Sequence, residues 1–395
     1  MNPKMKNNNE AFILNLPPEI IIDILTRLPI QSMISCKCVC KKWLQLFSTP
    51  VFSKFHLSKP TPGLIVQLTQ NEEKFCKIVE FEDILDLQNH NLHYKPVLKF
   101  DPSSFTGSDS TSILCSVNGL ICFHEYINKL DAFYICNPIT REYITLPQPN
   151  GNTMYPNIVT YGLGVSSVTS QYKVVRIFHE PLYSIERESN LRNLKIECIV
   201  YTLGTGSWRS IEPGEPYEYG TRTFVGAFLN GNLHWLVEDS ERVLLILCLD
   251  LETELFKPFS RAPFLNIGGS LTVLEDCYLC FCDFSSDEEI VIWIMKEYGV
   301  EDSWTKEVVI DKYQSEDLGA ITYEAVYVLK VFKDGEILML WEDTFLFYYC
   351  DKTKSTPEVV FFERDMYNYG YIDALLHTSS FVSLGRFALE NVSSF

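Results

Sequence analysis

Leu16-Pro17-Pro18-Glu19-Ile20-Ile21-Ile22-Asp23-Ile24-Leu25-Thr26-Arg27-Leu28-Pro29 opens a stretch whose texture differs from everything beyond residue 60, and its reading decides how the chain divides. Ile20, Ile24, Leu25 and Leu28 fall at helical spacing, with Asp23 and Arg27 between them. Proline suits the first turn of a helix, where its missing N–H is no loss, and Glu19 there complements the helix dipole. Pro29 then stops the helix, because proline cannot continue the hydrogen-bond ladder. A second helix is expected around Gln31–Lys37, with Met33 and Ile34 apolar. A third places Val39, Trp43, Leu46 and Phe47 on one face, with Lys41 and Lys42 off that stripe. Thr49-Pro50 breaks it, and Val51–Leu57 adds a last apolar set. Three short helices bury little surface of their own. Such a module is expected to gain stability by docking apolar surface on a partner.

Beyond about Pro62 the period changes. Short apolar runs alternate with turns rich in Gly, Asn, Asp and Thr. Asn118-Gly119, Asn230-Gly231 and Asp334-Gly335 each precede a strand-like run, and these pairs favour hairpin turns because both turn residues need positive φ. A second element recurs at Tyr134–Leu146, Cys198–Ile211, Leu245–Phe259, Ile290–Ile310 and Phe345–Phe362, where a strand, a polar turn and another strand follow one another. Spacings near 50 residues with about four strands each are the mark of a propeller blade. Five blades are countable this way. Leu64–Leu68 and Phe75–Phe81 complete a sixth if they join the final strands near Leu375–Leu384, which closes the ring and removes exposed edges. A pair of β-sandwiches is the competing architecture.

The 395 residues carry a net charge of −18, unevenly spread. Residues 1–60 hold eight Lys/Arg against three Asp/Glu, and the rest holds 25 against 48. That acidic majority repels nucleic acid, which needs clustered Lys and Arg. No apolar run reaches the length of a membrane span, and the polar, Asn-rich start lacks the apolar core of a signal peptide. An odd number of cysteines, thirteen, suits reduced thiols in cytoplasm or nucleus. Cys36, Cys38 and Cys40, like Cys277, Cys280 and Cys282, lack the second pair that completes a tetrahedral zinc site, so no metal and no cofactor is expected.

In order and spacing, Leu16-Pro17-Pro18-Glu19-Ile20, Arg27-Leu28-Pro29, Lys37-Cys38-Val39-Cys40-Lys41-Lys42-Trp43, Phe52 and His56-Leu57 resemble the plant F-box motif. Asn118-Gly119-Leu120-Ile121-Cys122, Asn137-Pro138-Ile139-Thr140-Arg141, Asp250-Leu251-Glu252-Thr253-Glu254, Trp293–Gly299 with Ser303-Trp304, and His377-Thr378-Ser379-Ser380-Phe381 resemble the plant F-box-associated interaction domain. Together they imply an α+β multidomain chain: a three-helix F-box followed by an all-β, kelch-like β-propeller of six blades. The implied division is a disordered tail over 1–12, an F-box over 13–60 and a propeller over 61–390.

The resemblance implies the substrate-recognition subunit of a Skp–cullin–F-box (SCF-type) ubiquitin ligase, docking on a Skp-type adaptor and through it on a cullin–RING ligase. The adaptor-binding residues it implies are Leu16, Pro17, Ile20, Leu28, Pro29, Met33, Val39 and Trp43. Apolar residues at helical spacing also serve as core, and Ile24 and Leu25 suit the interior best. Cys36 stands where many relatives carry a larger apolar residue. The propeller is expected to hold a target protein for ubiquitylation and proteasomal degradation. Candidate target-binding residues are Tyr183, Tyr217, Tyr219, Tyr367 and Tyr369, on the stretches Glu180–Asn193, Glu212–Thr221 and Arg364–Tyr371, since tyrosine pairs apolar area with a polar tip. No catalytic residue is expected: no nucleophile elbow, phosphate loop or metalloprotease motif occurs. Lys59-Pro60-Thr61-Pro62 reads as a short, stiff joint. The rival readings are a non-degradative F-box scaffold and a carbohydrate-binding or hydrolysing propeller.

Overall fold

A computed structural model describes residues 16–395 except 71–72, 82–93, 109, 128–129, 150–157, 180–195, 216, 220–224, 240, 242, 262–267, 276, 313–324, 333–334, 342–344 and 351–371. The N-terminal region forms four helices, α1 (Pro18–Leu25), α2 (Ile30–Cys36), α3 (Lys41–Phe47) and α4 (Pro50–Leu57). Prolines set the frame. Pro18 occupies the first position of α1, and Pro29 separates α1 from α2.

Two expectations change here. Pro50 ends α3 but also begins α4, with the Thr49 hydroxyl accepting from the Phe52 N–H at 3.2 Å, so the module has a fourth helix beyond the three expected. Val39 lies in the turn before α3 and is 61% exposed, off the face that Trp43 and Phe47 bury.

Six sheets follow. Blade I orders Ile372–Thr378, Pro62–Gln70, Glu73–Phe81 and Tyr94–Phe100; blade II Ser112–Val117, Leu120–Ile127, Leu130–Asn137 and Glu142–Thr145, with Ser393–Ser394 added at its outer edge. Blade III runs Ile158–Val165, Tyr172–His179, Ile196–Thr202 and Trp208–Ile211. In blade IV, Ala227–Leu229 and Glu218–Tyr219 both pair with Asn232–Glu238, followed by Leu244–Asp250 and Phe256–Arg261. Blade V is Gly269–Leu274, Tyr278–Asp283, Glu289–Met295 and Trp304–Asp311; blade VI shows Val326–Val331, Ile337–Trp341 and Phe345–Tyr349. Every strand pair is antiparallel within its blade. A sandwich pair is not formed.

The ring closes as the sequence suggests, with Ile372–Thr378 pairing against Pro62–Gln70 from Pro62 opposite Thr378 to Leu68 opposite Ile372. Six apolar layers fill the six seams, for example Leu163, Ile135 and Tyr201 between blades II and III, and Ile65, Ile121 and Phe123 between I and II. Strands buried on both faces read as unbroken apolar runs, and Leu244–Leu249 is buried throughout. Four of the five instances of the recurring element are the outer hairpins of blades II to V; of the fifth, Phe345–Tyr349 is a strand of blade VI and residues 351–362 lie outside the described residues.

Two of the three expected turns adopt the expected backbone: Asn118 and Gly119 have φ of 52° and 82°, Asn230 and Gly231 52° and 77°; in the third Gly335 has 88° and Asp334 lies outside the described residues. At Gly119 a side chain would also collide with Ser380, on the strap that follows the closing strand. Gly119→Val is expected to lower stability by about 2 kcal/mol or more, combining left-handed strain with that collision. Chemical unfolding of the two proteins reads this directly, and an unchanged midpoint overturns it.

Candidate docking surface and the clasp beneath it

A helix this short cannot bury all its apolar residues. Of eleven large hydrophobic residues exposed among the described residues, six lie on the helical module: Ile20, Ile24, Val39, Leu44, Val51 and Phe55. Ile20 and Ile24 share one face of α1, and Val51 and Phe55 share one face of α4, each pair four residues apart. The opposite side of α1, Ile21, Ile22 and Leu25, is buried with Ile30, Met33, Trp43, Phe47 and Phe52. Lys41, Lys42 and Lys54 are exposed, and Asp23 pairs with Arg27 at 2.7 Å and Lys59 at 3.2 Å. Those two cations hold the Asp23 carboxyl below its ordinary value.

Of the residues named from sequence, Pro17, Ile20, Pro29 and Val39 are exposed, and Leu16 and Leu28 are half-buried. Met33 and Trp43 are buried, at 2% and 8% exposed, so their side chains pack inside the module. Ile24, assigned to the interior, is 37% exposed, whereas Leu25 is buried as expected. Leu44, Val51 and Phe55 were not singled out. A helical wheel over Pro50–Leu57 would have found the last two, had Pro50 been read as a start.

The module does not hang on its linker. Its core continues into the propeller through Ile139 and Phe381. The Phe381 ring sits against Phe47 (4.9 Å between centroids), Phe52 (5.4 Å) and His56 (5.6 Å), while Ser53 Oγ donates to the Phe381 carbonyl at 2.8 Å. Gln31 Nε2 donates to the Pro96 carbonyl in blade I. Beneath this, the fully buried Asn137 donates through Nδ2 to the carbonyls of Ser380 (3.0 Å) and Val382 (2.8 Å), and its Oδ1 accepts from the Ile139 N–H at 3.0 Å. Ser380 Oγ donates to the Asn118 carbonyl. Three sequence motifs more than 200 residues apart at their extremes, Asn118-Gly119, Asn137-Pro138-Ile139 and His377–Phe381, thus meet as one clasp under the helices.

Register assigns the propeller's two faces. Inner strands run away from one face and finish at the helical side, where Thr378 pairs with Pro62. The strand ends His179 and Ile196 lie at the opposite face, His179 pairing with both Ile196 and Ile158. Tyr183, Tyr367 and Tyr369 lie outside the described residues. The Tyr219 backbone pairs with Val237, and its side chain is outside them as well. Tyr217 is packed against Val175, Trp235 and Leu247, so its ring belongs to a seam core.

A small helical module with an apolar outer face is thus joined to a six-bladed propeller through a shared core. The F-box domain family matches residues 13–55, and the F-box associated beta propeller domain family matches residues 70–373, so the chain belongs to the F-box proteins with that propeller domain. Its relatives include F-box protein At3g07870 of Arabidopsis thaliana, 27% identical over 379 residues and covering 88% of each chain. Another is F-box/kelch-repeat protein At3g23880 of the same plant, 28% identical over 311 residues, covering 74% of this chain and 78% of that one.

Proposed function

We propose that the chain is the substrate-recognition subunit of an SCF-type ubiquitin ligase. Its F-box docks on a Skp-type adaptor, and its propeller holds a target protein for ubiquitylation and proteasomal degradation. The observation that carries this reading is the concentration of exposed apolar side chains on the F-box, a surface out of proportion to forty residues. The clasp supports it further, because a receptor works by holding its target at a constant distance from the conjugating enzyme, raising effective concentration without side-chain chemistry of its own.

Target recognition belongs, in this reading, to the face opposite the helices, where His179 and Ile196 flank one of the three candidate stretches. The thirteen cysteines are free, which suits work in cytoplasm or nucleus.

Calorimetric titration of the full chain with a purified Skp-type adaptor tests the docking step. Ile20→Glu, at a half-exposed position, is expected to weaken binding by about 30-fold or more by burying an unpaired charge. Val300→Glu, exposed on the propeller, is expected to leave it unchanged. An unaltered affinity for Ile20→Glu, or no binding by the well-folded chain, sinks the reading. Target turnover in cells separates a ligase receptor from a non-degradative scaffold.

A further inference from the structure

A cavity of about 590 Å³ runs along the propeller axis, walled by inner strands that include Ser112–Val117 and Asp373–Thr378, with Leu57 and Pro60 at the helical end. Cys115 is in that wall and is only half-buried. Across the blade II hairpin its register partner is a second cysteine, Cys122, itself 1% exposed. Register partners on antiparallel strands project from the same face with Cα atoms about 4.5–5.5 Å apart, inside the span a disulfide requires. Both side chains belong to the seam between blades II and III, where the two residues face each other as register partners. The inner strand shifts register between Ile113 and Cys115, where a bulge gives local freedom to one of the pair.

We propose that Cys115 and Cys122 form a two-electron modification site for small hydroperoxides that enter the axial cavity. Cys115 is the acceptor, because it alone of the two meets the cavity. Its sulfur attacks the peroxide: an S–O bond forms, the O–O bond breaks, and the alcohol or water of the peroxide leaves. Cys122 sulfur then attacks the sulfenic acid, the S–S bond forms, and the hydroxyl departs as water with the Cys122 proton. Each thiol supplies one of the two electrons the peroxide takes. The neighbouring Cys115 thiol, and then burial, push the Cys122 thiol well up, so in the resting state it is protonated. Their facing positions on adjacent strands supply the effective concentration that makes the second step proceed. Cys76 and Cys136, also in this region, are fully buried and take no part.

The test uses the full chain, iodoacetamide and hydrogen peroxide, with chymotryptic peptides read by mass spectrometry. Cleavage after Leu120 separates the two cysteines. In the native protein iodoacetamide is expected to label Cys115 and spare Cys122. A few equivalents of peroxide are expected to link the two peptides with loss of two hydrogens, reversed by dithiothreitol. Cys122→Ala is expected to stop at the sulfenic acid, trapped on Cys115 by dimedone. Exposed Cys38 serves as the control for oxidant delivery. An unlabelled Cys115 overturns the proposal. So does a pair still reduced, or carrying only a sulfenic acid, in wild-type protein whose Cys38 has reacted.

Discussion

Replacing Phe381 with alanine is expected to uncouple the F-box from the propeller and to cost about 3–5 kcal/mol, the range for deleting a buried aromatic ring. The ring is 1% exposed and touches Phe47, Phe52 and His56, each on a helix that has few other partners. Four short helices bury too little apolar surface to stand well alone. This residue from the other end of the chain and Ile139 complete their buried core, and with the ring removed Ile139 and the hydrogen bonds of Ser53 and Gln31 are left to hold the seam. Urea unfolding is therefore expected to separate into two transitions, with the helices exchanging amide hydrogen before the propeller does. Phe55→Ala, half-exposed on α4, is expected to change stability by no more than about 0.5 kcal/mol. A single, unshifted transition for Phe381→Ala means that the helices are anchored by other contacts.

Features set by neighbouring residues were legible in the sequence. The turns at Asn118-Gly119 and Asn230-Gly231 demand positive φ, which few other pairs supply, and the outer hairpins repeat closely enough to count blades. Closure by Ile372–Thr378 followed from the need to remove free strand edges. What was lost depends on contacts across long separations or on three-dimensional facing. Ile20-Ile21-Ile22 offers apolar residues to every side of a helix, so periodicity alone cannot divide the exposed Ile20 and Ile24 from the buried Ile21 and Ile22. Met33 and Trp43 read equally well as surface or core, and the answer lies in Phe47 and Phe52 packed around them. The clasp pairs Asn137 with Val382, 245 residues away, which no local pattern signals. Tyr217 read as a recognition tyrosine because its ring joins apolar area to a polar tip on a loop-like stretch, yet the fold buries it in the seam.

Acid is expected to destabilise the chain well before its paired carboxylates titrate. His56, His234 and His377 are almost completely buried, and burial lowers each from 6.5 to about 4. His377 faces Ser116 Oγ at 2.9 Å, His234 lies between the Ala227 carbonyl and the Tyr298 hydroxyl, and His56 lies parallel to Phe52 and meets Phe381 edge to face. None has a carboxylate partner in these contacts to welcome a proton. The unfolded chain takes up protons on these rings as the pH falls through 6.5, whereas the folded rings stay neutral until about 4. Stability is thus fully present above pH 6.5 and is lost as the pH falls toward 4, by about 3 kcal/mol for each ring at 1.36 kcal/mol per pH unit. Glu80 acts in the opposite sense. Burial raises its carboxyl to about 7, so its contribution is present below its ordinary value of 4.5 and is lost as the pH rises through 7. Moving from pH 7 to 4.5, one such gain of about 3 kcal/mol offsets part of three losses, leaving a deficit of about 5 kcal/mol, comparable with the whole stability of many domains. The paired carboxylates Asp23, Asp250 and Glu254 add to the loss only below their ordinary range near 4. Urea midpoints measured from pH 7.5 to 4.5 are expected to fall steadily below pH 6.5, and the fall is expected to be shallower in His377→Gln, which removes one buried ring. A midpoint flat to pH 5 in the unaltered chain would mean that these histidines accept protons in the fold, by opening the seams that now keep them neutral.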